Sequence, residues 1–239
     1  PIYTVRKLSL ESVERKISER TCAILVEPIL GEGGIVTLSC SFLKGLKQLC
    51  KKYNLLLIFD EVQSGIGRTG HFLAHERCGV TPDIVALAKG LGNGFPIGAC
   101  IATKRVADCM VPGTHGSTYG GNPLGCAVAL ETIKCILKPN FLSTIRKKGD
   151  FFKKKLNNLL DIFPEQISEV RGKGLMLGLK CVGHNVDLVD RCRKEKLLLV
   201  PGGSNTLRIL PPLIITYKEI EEGTERLHIA LRRMRSHSE

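Results

Sequence analysis

The sequence predicts an α/β fold, with a mostly parallel sheet in a larger first segment and a smaller α+β unit after it. Three observations carry that prediction. Short apolar runs of strand length alternate with amphipathic helical segments; the runs lack polar alternation, as strands covered on both faces do; and glycine-rich loops follow them, where ligands sit in open α/β sheets. With 239 residues the chain can bury a substantial core without metals or disulfides. Hydrophobic residues at 43% and charged residues at 24% exclude collagen-like, mucin-like and highly charged disordered chains.

The elements follow in order. Leu10, Val13 and Ile17 recur at helical spacing behind a cap at Ser9, and residues 22–26 form a continuous apolar run, so a helix feeds a strand. Phe42, Leu43, Leu46, Leu49 and Cys50 mark a second amphipathic helix, and residues 55–59 a second buried strand. Residues 84–87 and 99–103 add two short strands. Glycine-rich loops occupy 31–34, 65–70, 90–98 and 113–121. A helix over 122–137, with Cys126, Leu130, Ile133 and Leu137 in register, leads to a boundary near 138–140. Beyond it come a Lys-rich helix over 142–160, strands near 170 and 175–180, a helix over 186–194, strands near 197–200 and 207–210, and a closing helix over 220–231.

Charge and cysteine usage narrow the function classes. The net charge of +12 comes from Lys and Arg that cluster within helical segments, and the four Tyr and eight Phe do not interleave with them. Solvated helix faces fit that pattern better than a nucleic-acid surface does. Ten cysteines without a CxxC pair read as reduced, mostly buried thiols. No aliphatic stretch approaches the roughly 20 apolar residues of a membrane helix. The charged opening stretch, with Arg6, Lys7, Glu11, Glu14, Arg15 and Lys16, lacks the apolar run of a secretory signal, and the expected compartment is the cytoplasm.

Two motif matches fail on context. Gly65, Gly67 and Gly70 satisfy GxGxxG, but no long helix opens directly after the strand, as a dinucleotide site requires. His71 and His75 share an HxxxH spacing but lack the Glu of HExxH, so no metal is expected. The stronger constellation is Asp60 and Glu61 at the end of an apolar strand, Lys89 after the run 84–88, and Arg208 far downstream. A carboxylate ending a buried strand is costly unless it faces a cation or polar ligand, and a lysine beside glycine-rich chain can be made nucleophilic. Residue types and spacing alone thus reach an α/β protein with an anionic-ligand loop system.

Four segments stand together: VEPILGEGG at 26–34, FDEVQSGIGRTG at 59–70, AKGLGNGFPIG at 88–98 and HGSTYGGNP at 115–123. In this order they closely resemble the class III, pyridoxal-phosphate-dependent aminotransferases. With LRILPPL at 207–213 they are most similar to the acetylornithine-type members, the ornithine-type members being near relatives. The resemblance implies aminotransferase fold type I, with residues 1–138 as the C-terminal part of the large cofactor-binding domain and 139–239 as the small C-terminal domain. It implies transamination between N-acetylornithine, or a related ω-amino donor, and 2-oxoglutarate, in arginine biosynthesis. Pyridoxal 5'-phosphate would be the cofactor, and a homodimer would share its active sites.

The same resemblance assigns roles. Lys89 would form the Schiff base with the cofactor aldehyde and shuttle the substrate proton. Asp60 would keep the pyridine nitrogen protonated. Gln63 would bond the ring oxygen, with Glu61 and Val62 in the same cofactor-contacting turn, and Thr118 would reach the phosphate held by the neighbouring subunit. Ser117 would touch substrate, Arg208 would clamp an α-carboxylate bidentately, and Glu32 would neutralise Arg208 when no carboxylate is present. Leu30 stands where these enzymes commonly have Gln, and Asn93 interrupts a usual glycine run. The family's phosphate-cupping loop, ring-stacking aromatic and second carboxylate-binding Arg would precede this chain's start, so the chain reads as a C-terminal portion. The competing readings are a noncatalytic remnant that retains the motifs, and nucleic-acid binding through the +12 charge.

Overall fold

The computed structural model describes residues 8–235, so Arg6 and Lys7 of the opening stretch lie outside the described residues. In chain order the elements are α1 (Leu10–Glu14), β1 (Ala23–Val26), β2 (Ile29–Leu30), β3 (Val36–Thr37), α2 (Cys40–Lys52), β4 (Leu56–Asp60), β5 (Ile84–Leu87), β6 (Ala99–Ala102), α3 (Lys104–Ala107), α4 (Pro123–Ile136), α5 (Phe141–Ile162), β7 (Ile167–Lys173), β8 (Met176–Cys181), α6 (Asn185–Lys194), β9 (Val200–Gly202), β10 (Thr206–Ile209) and α7 (Tyr217–Arg235). Two 3-10 turns, Ala74–Cys78 and Lys89–Leu91, flank β5. The chain divides into two compact units. The first takes residues up to Pro28 with Leu38–Ile66 and Leu73–Cys135; the second takes Ile29–Thr37, Gly67–Phe72 and the residues from Ile136 on.

Helix starts are written in the sequence as caps. Ser9 accepts the Ser12 amide at 3.2 Å, Ser39 the Phe42 amide at 3.1 Å, and Asn122 Oδ1 the Gly125 amide at 2.8 Å, each satisfying an amide with no partner inside its helix. Thr216 and Glu219 form a reciprocal capping box before α7: the Thr216 amide donates to Glu219 Oε2 at 2.7 Å, and the Glu219 amide to Thr216 Oγ1 at 3.2 Å. That backbone hydrogen bond holds the Glu219 carboxyl below the usual carboxylate range.

In the first unit the sheet order is β1-β4-β5-β6; β1, β4 and β5 run parallel, and β6 is antiparallel to β5. Leu43, Leu46, Leu49 and Cys50 of α2 pack with Leu57 and Phe59 of β4 in one core cluster. Exposure is uneven toward the edges of this sheet. Leu25 on β1 is 66% exposed, and Ala99, Cys100 and Ile101 of β6 are exposed as well. An apolar run reports strand length and hydrophobicity, and it carries no record of which face has a neighbour.

The second unit holds the antiparallel sheet β7-β8-β10-β9. Ile145, Phe152, Leu156 and Leu159 of α5 and Ile220, Leu227 and Leu231 of α7 share a core with Leu177, Leu179 and Leu207 of the sheet. The antiparallel pair β2-β3, on either side of the glycine-rich loop 31–34, and helix α3 lie where the sequence predicts no element, and β9 begins three residues later than the predicted strand; elements of two to four residues give too few positions for a period to register.

The cysteine reading is corrected. Cys40 and Cys78, 38 residues apart, form a disulfide, because the fold sets the start of α2 against the end of the Ala74–Cys78 turn. Of the other cysteines, Cys22, Cys100, Cys109, Cys126 and Cys135 are exposed and only Cys50, Cys181 and Cys192 are buried. Burial pushes the Cys50 and Cys181 thiols up to about 11 and Cys192 up to about 12, so all three stay protonated at neutral pH. No helix among the described residues is long and apolar enough to cross a membrane.

Candidate functional site

Within the first unit, the carboxyl ends of two neighbouring parallel strands carry the site. Asp60 closes β4 and stands in register with Ala86 of β5, and the Glu61 amide donates to Ala86 O at 3.0 Å. Lys89 follows three residues beyond Ala86, as the first residue of the turn Lys89–Leu91. Its φ is +43°, a left-handed value that costs an L residue about 1–3 kcal/mol and is stored where surrounding structure fixes it. Part of that fixation is Gly92: a Cβ there would come within 1.9 Å of Phe95 O, so only glycine lets the loop fold back so tightly.

The two side chains at these strand ends enter no ion pair among the described residues. Lys89 is exposed, and its side chain makes no hydrogen bond or ion pair among the described residues. Asp60 Oδ1 accepts the Val62 amide at 2.9 Å, and Asp60 enters no ion pair among the described residues. An acid and an amine on adjacent strand ends, each lacking a counter-charge, form a donor set suited to a ligand that brings both a basic nitrogen and an electrophilic carbonyl.

The turn beneath them is fastened by Glu61. Its carboxylate, on a residue 1% exposed, accepts the Ser64 hydroxyl at 3.0 Å, the Ala74 amide at 2.7 Å and the His75 amide at 2.9 Å. His75 Nδ1 lies 2.8 Å from the same carboxylate, which can only accept when ionised, so Nδ1 carries the hydrogen. The His75 ring packs at 5.3 Å from Phe59. Gln63 and Val62 occupy the half-buried arc of this turn. His75 is the residue the sequence reading missed; a histidine fifteen positions after a strand-end acid gives no signal until the chain folds back.

The loop before α4 carries Ser117 and Thr118, both exposed. Ser117 Oγ accepts the Gly120 amide at 2.9 Å, which shapes the loop and leaves the Thr118 side chain outward.

The second unit brings Glu32 and Arg208 together across 176 residues of sequence. Arg208, on β10, is 6% exposed; Nε and Nη2 donate to Pro201 O at 3.3 and 3.2 Å, and Nη1 donates to Glu32 Oε1. The Glu32 side chain is 73% exposed and sits in the turn between β2 and β3. That turn is docked by its backbone: the Gly203 amide donates to Glu32 O at 2.7 Å, and Arg171 Nη1 donates to Gly34 O at 3.2 Å. Arg68 anchors the segment Gly67–Phe72 in the same unit, donating to Leu175 O at 3.2 Å and Pro211 O at 2.5 Å, and burial lowers its guanidinium to about 10.

The class-III aminotransferase family model matches residues 4–231. The chain belongs to the class-III aminotransferases. Among its relatives, acetylornithine aminotransferase 1 of Bradyrhizobium diazoefficiens is 51% identical over 221 residues, covering 92% of this chain and 55% of that protein. The chain spans about half the length of the curated relatives it matches. Among solved structures, ornithine aminotransferase from Toxoplasma gondii superposes with a TM-score of 0.90 at 34% identity, covering 96% of this chain and 56% of that one. N-acetylornithine aminotransferase from Stenotrophomonas maltophilia gives 0.87 at 34% identity, covering 96% and 61%. The family and the α/β fold class expected from the motifs are therefore those of the chain.

Proposed function

We propose that the protein is a pyridoxal-phosphate-dependent transaminase, acting between N-acetylornithine or a related ω-amino donor and 2-oxoglutarate. The observation that carries the reading is the pair of uncompensated groups, Asp60 and Lys89, on adjacent parallel strand ends. Relatives called acetylornithine aminotransferase, 45–51% identical to the chain, support the choice of donor. The ornithine-type reading stands second, supported by structural neighbours of that name.

When bound, pyridoxal phosphate supplies the electron sink for the substrate carbanion. Lys89 would hold its aldehyde carbon and carry the proton at the substrate carbon. Asp60 would keep the ring nitrogen protonated, with Val62 shaping its turn and Glu61 fixing that turn from below. Gln63 would donate to the ring oxygen. Thr118 would bind the phosphate held by the second subunit of a homodimer, and Ser117 would meet substrate; the exposed apolar Leu124 and Leu130 of α4 support a buried subunit interface. Arg208 would clamp the α-carboxylate of glutamate or 2-oxoglutarate through its planar fork, and Glu32, already its ion partner, would leave when that carboxylate arrives. In this reading residues 1–138 belong to the cofactor domain and 139–239 to the small domain, and the enzyme serves arginine biosynthesis in the cytoplasm.

Reduction of the full-length holoprotein with borohydride and peptide mass mapping tests the chemistry: the adduct is expected on Lys89, and an adduct elsewhere refutes the assignment. Assaying acetylornithine, ornithine and 4-aminobutyrate as donors with 2-oxoglutarate then separates the two substrate readings.

A further inference from the structure

The disulfide between Cys40 and Cys78 lies outside the proposed chemistry, and its two sulfurs have unlike surroundings. Cys40 is the first residue of α2, directly after its cap Ser39, so its sulfur sits at the positive end of a 13-residue helix. Arg77 Nη1 lies 3.1 Å from Cys40 Sγ, and Arg77 Nη2 donates to Leu38 O. Arg77 is partly buried and enters no ion pair among the described residues. Desolvation pulls its guanidinium below the usual arginine value. A partly desolvated cation without an anion is costly, and a Cys40 thiolate would supply the missing charge. Cys78 is different: it is 5% exposed and closes the Ala74–Cys78 turn. One partly exposed, charge-stabilised sulfur joined to one buried sulfur is the arrangement of an attacking and a resolving thiol.

We propose that Cys40 and Cys78 are a redox-active dithiol/disulfide couple that exchanges with low-molecular-weight thiols through Cys40. In the reducing direction a thiolate attacks Cys40 Sγ; a mixed disulfide forms as the bond to Cys78 breaks, and the Cys78 sulfur leaves as a thiolate and takes a proton. A second thiolate attacks the external sulfur of the mixed disulfide, so the external disulfide forms and Cys40 is released as a thiolate beside Arg77. Two electrons pass from two external thiols to the protein. The reverse sequence, with the external disulfide as oxidant, closes the bond again. The turn that Cys78 closes is the one whose Ala74 and His75 amides hold Glu61, so the couple is built into the support of the Asp60 turn.

The test equilibrates the full chain in buffers of reduced and oxidised glutathione at varied ratio, quenches in acid, alkylates free thiols and maps peptides by mass. Cys40 and Cys78 are expected to open and close together as one two-electron couple. In the reduced chain, brief alkylation at neutral pH is expected to label Cys40 ahead of Cys78, and the rate at Cys40 to titrate with an inflection well below the ordinary thiol value of about 8.5. Arg77→Gln should slow that labelling about tenfold at neutral pH, a shift of about one pK unit, while Arg77→Lys retains most of the rate. The proposal is overturned if the two sulfurs are never joined at any glutathione ratio, if Cys78 reacts first, or if Cys40 titrates at or above the ordinary value. The last outcome is read on the unsubstituted chain, so a variant that fails to fold leaves the decision intact.

Discussion

Lys89 stands at a left-handed φ of +43° with its amine exposed and unpartnered among the described residues, so its side chain contributes nothing visible to the fold. Lys89→Ala is therefore expected to abolish cofactor attachment and turnover in the full-length protein while changing stability by less than about 0.5 kcal/mol, read by absorbance of bound cofactor and by denaturant titration. Glu61 behaves oppositely. Its buried carboxylate collects two amides, a hydroxyl and the His75 ring, and each bond to a charged acceptor is worth about 1.5–3 kcal/mol. Glu61→Gln keeps the shape but turns one acceptor into a donor facing donors; the expected loss is about 2–4 kcal/mol, measured as a fall in denaturant midpoint at unchanged slope. Both residues sit in motifs visible in the sequence. Their different work was not visible, because it depends on whether the fold supplies partners, and only Glu61 receives them.

At the scale of elements, one connection in each unit fixes its local geometry. The turn between β2 and β3 needs Gly34, whose φ is +104° and where a Cβ would lie 2.4 Å from Gly203 O. Gly34→Ala is expected to cost about 1–3 kcal/mol and to loosen the Glu32–Arg208 ion pair, seen as a lowered thermal midpoint. Asp83 joins three elements of the first unit: its carboxylate accepts the Leu57 amide of β4 at 2.9 Å and Lys47 of α2 at 3.0 Å, and it immediately precedes β5. Partial burial pushes its pKa up, but the Leu57 amide and Lys47, with Arg105 nearby, outweigh burial and hold it below the usual carboxylate range. A carboxyl depressed in the folded state stabilises at pH above its unfolded value near 3.9, and that contribution is lost as pH falls through the lower folded value. Unfolding titrations from pH 6 downward should show this loss, and Asp83→Asn should flatten it at a cost of about 1–2 kcal/mol at neutral pH. The helix cap at Ser9 is legible because a cap is a contact between neighbours in sequence. The β2-β3 pair is not, since its two-residue strands exist through backbone bonds to partners that sequence order does not reveal.

Taken as a whole molecule, the chain has a large core cluster in each unit, and the disulfide lies in the first unit. Closing a 38-residue separation removes enough unfolded-state freedom to stabilise that unit by about 2–4 kcal/mol. Reduction, or the double substitution Cys40→Ser with Cys78→Ser, should lower the denaturant midpoint of that unit accordingly. The alternation of helices and strands and the motif residues Asp60 and Lys89 are determined by the sequence itself, since each rests on patterns within a few dozen residues, and family membership follows from motifs ordered along the chain. The tertiary structure alone decided that Glu61 is locked by His75 and that Cys40 meets Cys78. Those pairings are fixed by which distant surfaces bury each other, and that choice minimises the free energy of the folded chain without leaving a mark in any local stretch of it.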